Sequence, residues 1–140
     1  MCSSDLCSRV AGQKYATLLA AQLLRNGTLQ VVNCGHVPSL VAHDGTVSHI
    51  LEGDLPVGLM EHAEFHPIQL NFSVGSRLCI LTDGISETEN RSGEEFGTAM
   101  VESCLFDAEP VRGIMEAVFA FSGDLEPQDD RTIVILERTR

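Results

Sequence analysis

Two dipeptides, Asn26-Gly27 and Asp44-Gly45, constrain the fold more than any other feature of this sequence. Asn-Gly and Asp-Gly accept positive φ cheaply, and they turn a strand back on itself with the twist that sheets prefer. Mostly apolar segments flank both, and residues 29–33 are Val-rich. The pairs therefore predict two hairpins: residues 15–24 with 29–33, and 37–43 with 47–51. The Ala and Leu of the first segment favour helix, but the turn after it argues for a strand. Residues 68–72 and 77–81 are expected to pair around "SVGS". The β-branched run in "RTIVILE" predicts a last, buried strand.

Two helices are expected between these strands. Ser92 and Glu95 have capping-box spacing, and Phe96, Ala99, Met100 and Cys104 follow at helical intervals. The second helix starts near Pro110, a favoured first-turn residue. Its Val111, Ile114, Met115, Val118 and Phe119 mark one buried face. Strands, then helices, then a closing strand imply an α+β domain, with helices packed on antiparallel sheet. A chain of 140 residues is about one domain.

The formal charge of −11 excludes nucleic acid as a partner, since phosphates call for a basic surface. No apolar run approaches the roughly 20 residues of a membrane-spanning helix. The five cysteines form no C-x-x-C pair, and Cys79 and Cys104 lie in apolar runs as small core residues. These features imply a reducing, cytoplasmic location.

The chemistry centres on "LCILTDGISETEN", residues 78–90, where an apolar strand ends on Thr82-Asp83-Gly84. Asp129 and Asp130 immediately precede the last strand. If the two strands are neighbours, three carboxylates converge at one sheet edge, and they repel one another unless a cation sits between them. Hard oxygen donors without His or Cys favour Mg²⁺ or Mn²⁺ over zinc. Turn formation explains each Asp equally well at this level. His62 and His66 have i, i+4 spacing, but Pro67 follows at once and a solvated loop is expected. His36 is expected to orient a turn. Glu87 and Glu89 either shape substrate access or are surface charge.

The ordered set "YATLLAAQLLRNGTLQ", "VVNCGHVPSLV", "LPVGL", "LCILTDGISETEN", "GEEFG" and "DDRTIVIL" resembles the SpoIIE branch of the metal-dependent protein phosphatases (PPM family). The resemblance covers residues 15–137. It implies an antiparallel β-sandwich flanked by helices. It also implies hydrolysis of phosphoserine or phosphothreonine on a protein, in this branch often a small anti-anti-sigma regulator, with two Mn²⁺ or Mg²⁺ ions activating water. By the same resemblance Asp83 and Asp129 are metal ligands, with Asp129 favoured over its neighbour Asp130, which adjusts the loop.

One departure from the family pattern stands out. The family's amino-terminal motif resembles G-D-x-x-G-x-G, and its Asp bridges both metals; nothing before Tyr15 matches it. "GDLPVG" at Gly53 falls in the position of a different loop, so Asp54 is not assigned as the bridging ligand. The chain therefore reads as an amino-terminally truncated phosphatase domain over residues 15–140, short of roughly 50 to 80 residues by domain size, and inactive alone. An upstream sensor domain is compatible with that reading. Residues 1–14 are expected to be a disordered terminus. Residues 1–6, "MCSSDL", back-translate to a common sequencing-library adapter and are expected to be an artefact. The rival of another class is a non-catalytic, phosphatase-like regulatory or binding module. A haloacid-dehalogenase-like phosphatase is disfavoured, because "DGIS" lacks the D-x-D-x-T pattern.

Overall fold

The structure, a computed structural model, describes residues 15–140. The expectations for residues 1–14 and 1–6 lie outside the described residues. The elements run β1 (Leu18–Leu23), β2 (Thr28–Cys34), β3 (Ser39–His43), β4 (Thr46–Ile50), β5 (Ile68–Asn71), β6 (Arg77–Leu81), α1 (Asp83–Ser86), α2 (Gly97–Cys104), α3 (Pro110–Ser122) and β7 (Ile133–Glu137). All sheet pairings are antiparallel, and the class is α+β. The chain divides into two compact units, one of residues up to His36 plus Leu51–Phe72, the other of Val37–Ile50 plus Ser73–Arg140.

The first unit holds the sheet β1-β2-β5. The hairpin expected at Asn26-Gly27 forms, with Leu23 opposite Leu29 and Leu18 opposite Cys34. Gly27 N–H donates to the Leu24 carbonyl at 3.0 Å, and Gly27 has φ of 88°. This is a three-residue loop in which a left-handed residue follows a tight turn. Turn chemistry has overridden the helix propensity of β1. On β2, Leu29, Val31 and Asn33 alternate as buried residues with half-buried ones, the period of a strand with one covered face. The turn after β2 is held by Asn33, whose side chain accepts from His36 N–H at 2.8 Å and donates to the His36 carbonyl at 3.1 Å.

The second unit holds the sheet β4-β3-β6-β7. Asp44 (φ 47°) and Gly45 (φ 74°) make the expected tight turn between β3 and β4, both in the left-handed region. The expected pairing of 68–72 with 77–81 does not occur. β5 pairs with β2, and β6 lies between β3 and β7. Leu40 and Ala42 of β3 and Cys79 and Leu81 of β6 present one apolar face, and they join Ile85, Phe96, Val101, Leu105, Ile114 and Val118 in the core. Burial pushes the Cys79 thiol up to about 11, consistent with a core cysteine. Phe96 meets Phe121 edge-on, with ring centroids 5.5 Å apart. Cys34, Cys79 and Cys104 are free thiols. No helix of the described residues is long and apolar enough to cross a membrane.

Four local expectations need correction. The Ser92–Glu95 capping box is absent: α2 begins at Gly97 with Phe96 at its cap and no side-chain cap bond. Instead the Asn90 side chain accepts from the N–H groups of Ser92 and Glu94, at 2.9 and 3.1 Å, and shapes a turn. The buried stripe at α2 is Phe96, Val101 and Leu105, while Ala99 and Met100 are exposed. On α3, Ile114, Val118 and Ser122 are buried, whereas Val111 and Phe119 are exposed. β7 is an edge strand of its sheet, buried on neither face: Val134 and Leu136 are 43% and 48% exposed and alternate with half-buried Ile133 and Ile135.

Candidate active site

The ends of β6 and β7 are joined by Thr82. Its N–H donates to the Thr132 carbonyl at 3.1 Å. Its hydroxyl donates to the Asp130 carbonyl at 2.8 Å and accepts from Thr132 N–H at 2.9 Å. The chain then enters α1, a single helical turn. Gly84 is buried there, and a Cβ at this position would strike the carbonyl oxygen of Asp130. The glycine of "TDG" thus answers to a close approach of two backbones, not to an unusual φ.

This junction sets Asp83 and Asp129 on the wall of one cavity of about 310 Å³. Asp83 Oδ1 accepts from Gly84 N–H at 2.9 Å, and Asp129 Oδ1 accepts from Asp130 N–H at 2.7 Å. Each carboxylate is therefore oriented by its own following amide, and both are exposed. Asp130 does not line the cavity; its backbone carbonyl serves the Thr82 clamp. Among the described residues no group of three or more His, Cys, Asp or Glu is arranged to hold a metal ion.

Four further carboxylates line the same wall: Glu87, Glu89, Glu95 and Glu126. Glu89 and Glu95 are brought opposite each other by an antiparallel bridge. Thr88 fixes this rim, its buried hydroxyl donating to the Gly84 carbonyl at 2.7 Å and its carbonyl accepting from Phe96 N–H at 2.8 Å. Arg131 is the single basic residue of the lining among the described residues. Its guanidinium carbon stands 5.8 Å from the centre of the Phe119 ring.

The other sequence candidates are engaged elsewhere. Asp54, in the first unit, accepts from His66 N–H at 2.6 Å and pairs with His66 Nδ1 at 3.0 Å. That hydrogen bond, then the His66 amide, hold the Asp54 carboxyl below its usual range, and Asp54 raises His66 in turn. His62 and His66 lie on no helix, and the pair they were spaced to form is replaced by this Asp–His contact. Thr82, Gly84, Glu95, Glu126 and Arg131 went unassigned in the sequence. Their shared signal, proximity to "TDG" or "DDRT", becomes readable only once β6 and β7 are known to be neighbours.

The sequence model of the family described as Stage II sporulation protein E (SpoIIE) matches residues 2–139. The chain belongs to that family. It is 33% identical over 75 residues to the phosphoserine phosphatase RsbP of Bacillus subtilis (strain 168), covering 52% of this chain and 19% of the relative. It is 31% identical over 85 residues to Protein IcfG of Synechocystis sp. (strain ATCC 27184 / PCC 6803 / Kazusa), covering 59% of this chain and 13% of the relative. The match thus spans under a fifth of either relative's length. Among solved structures, the manganese-presoaked phosphatase domain of SpoIIE from Bacillus subtilis superposes with a TM-score of 0.73 at 20% identity, over 99% of this chain and 63% of that one. The catalytic domain of the serine threonine protein phosphatase PstP in complex with two manganese ions gives 0.68 at 15% identity, over 95% of this chain and 64% of that one. The fold is that of the PPM phosphatases.

Proposed function

We propose that this chain supplies the Asp83–Asp129 half of a metal-dependent protein serine/threonine phosphatase, acting in the cytoplasm on a phosphorylated regulatory protein of the anti-anti-sigma kind. The observation that carries the reading is the Thr82 clamp, which brings two carboxylates from distant parts of the sequence to one cavity wall. The donor set fits Mn²⁺ or Mg²⁺: exposed carboxylate oxygens, with no thiolate or imidazole among the described residues of the lining. Asp83 and Asp129 would be the holders, and Asp130 would act through the loop. When bound, such ions lower the pKa of water and offset charge on a phosphoryl group. The chain's own residues do the rest. Thr82 and Gly84 fix the separation of the two acids. The rim glutamates keep the cavity negative, which concentrates divalent cations there.

The rival, a non-catalytic phosphatase-like binding module, is favoured by one observation, that two acids of the metal set line the cavity and, among the described residues, no third completes a group. Hydrolysis of a phosphoserine peptide by the full natural protein separates the two. Phosphate release that needs Mn²⁺ and stops with chelator is expected. No release, or release indifferent to chelator, overturns the enzymatic reading.

A further inference from the structure

We propose that Arg131 is the phosphoryl-binding residue of the Asp83–Asp129 cavity, its guanidinium receiving the oxygens of a phosphate monoester. The proposal rests on the phosphatase reading and adds to it the side chain that meets the substrate.

Arg131 shares its cavity wall with six carboxylates, yet among the described residues it forms no ion pair and no hydrogen bond. Its Nε is buried without a partner. That nitrogen is shut off from solvent, so the two outer nitrogens of the guanidinium are the donors a ligand in the cavity can meet. The Phe119 ring lies 5.8 Å from the guanidinium carbon, within reach of a cation–π contact. The N–H donors of the guanidinium make no hydrogen bond among the described residues. That planar fork matches two oxygens of a phosphoryl group.

The backbone on both sides of Arg131 is fixed. The Asp130 carbonyl and the Thr132 N–H are both held by the Thr82 hydroxyl. The residue between two such anchors cannot drift far from Asp129, so an anion gripped by Arg131 stays beside the proposed metal ligands. Charge makes a cation necessary there. Six acids repel a phosphate dianion, and among the described residues Arg131 is the one fixed positive charge of the lining.

Binding of inorganic phosphate to this chain tests the proposal. Titrations followed by calorimetry in the presence of Mg²⁺ compare the parent with Arg131→Ala and Arg131→Lys. The expected loss for Arg131→Ala is about tenfold or more in affinity, the size of one hydrogen bond to a charged group. Lysine keeps the charge without the fork and should fall between. Mn²⁺ affinity, measured separately, should stay equal or tighten in both variants, since a competing cation has weakened or gone. Phosphate affinity unchanged in Arg131→Ala, or no saturable phosphate binding by the parent, overturns the role of Arg131. Failure of the parent to bind Mn²⁺ counts against the phosphatase reading instead, and dependence of phosphate binding on Arg131 is read independently of it.

Discussion

The hydroxyl of Thr82 donates to the backbone carbonyl of Asp130 at 2.8 Å, across 48 positions of sequence. The same oxygen accepts from Thr132 N–H. One side chain thereby sets the distance between the strand end that carries Asp83 and the loop that carries Asp129.

Thr82→Val keeps the shape and removes both hydroxyl bonds. It should cost about 1–3 kcal/mol of stability, because a carbonyl and an amide lose their partner. Thr82→Ser should retain most of it. Urea denaturation of the two variants checks this; equal midpoints would mean the clamp contributes nothing.

Gly84→Ala tests the close approach from the other side. The added Cβ meets the Asp130 carbonyl oxygen, which is backbone and cannot rotate away. The loop must shift, with an overpacking cost of about 1–3 kcal/mol. Weaker Mn²⁺ binding should accompany the loss. A variant as stable as the parent, with the same metal affinity, would show that the two backbones are not held together.

The Asp54–His66 contact gives a pH signature. Its hydrogen bond raises His66 above the ordinary 6.5 and lowers Asp54 below the ordinary 3.8. For the raised His, stabilisation is complete below 6.5 and is lost as pH rises through the folded value. For the depressed Asp, it is complete above 3.8 and is lost as pH falls through the folded value. The parent should exceed Asp54→Asn in thermal stability most clearly between these two values. An NMR titration should find the His66 midpoint above 6.5 in the parent and back near it in Asp54→Asn. Identical midpoints in the two proteins would show that the contact does not form in solution.

The fold was legible where the signal is local. Asn26-Gly27 and Asp44-Gly45 announce their turns because the positive φ that Gly27, Asp44 and Gly45 adopt is a preference read from the residue type itself. The pairing of β5 with β6 was misread because "SVGS" looks like a hairpin turn. In fact the two ends of that segment are tied to different partners, Phe72 N–H to the Gly27 carbonyl and Gly75 N–H to the Arg138 carbonyl. Ser92 and Glu95 matched a capping motif, but the Asn90 side chain took the Ser92 amide together with that of Glu94 and shaped a turn instead. Asp83 and Asp129 stood out as candidates in the sequence, the first as the acid that closes an apolar strand and the second as an acid shortly before one. Thr82, Gly84 and Arg131 did not, because their roles depend on contacts or shared surroundings some 50 positions away.

The 140-residue chain alone should turn over p-nitrophenyl phosphate slowly or not at all with Mn²⁺. Asp83 and Asp129 line the cavity without a third member of a metal-holding group among the described residues, and two-metal hydrolysis clamps both the attacking and the leaving oxygen. Robust turnover that copurifies with the chain and vanishes with chelator would contradict this.

Mn²⁺ affinity of three asparagine variants tests the metal reading most directly. Asparagine keeps the size of the side chain and its turn-forming ability but removes the charge that binds a hard cation. Measured by electron paramagnetic resonance on folded protein, Asp83→Asn and Asp129→Asn should each weaken binding by more than about 100-fold, beyond the roughly 10- to 100-fold seen when only a partner that orients a ligand is lost. Asp130→Asn should change it far less, since that side chain does not line the cavity. Equal affinities for the parent and all three variants would mean that "TDG" and "QDD" are turns and nothing more.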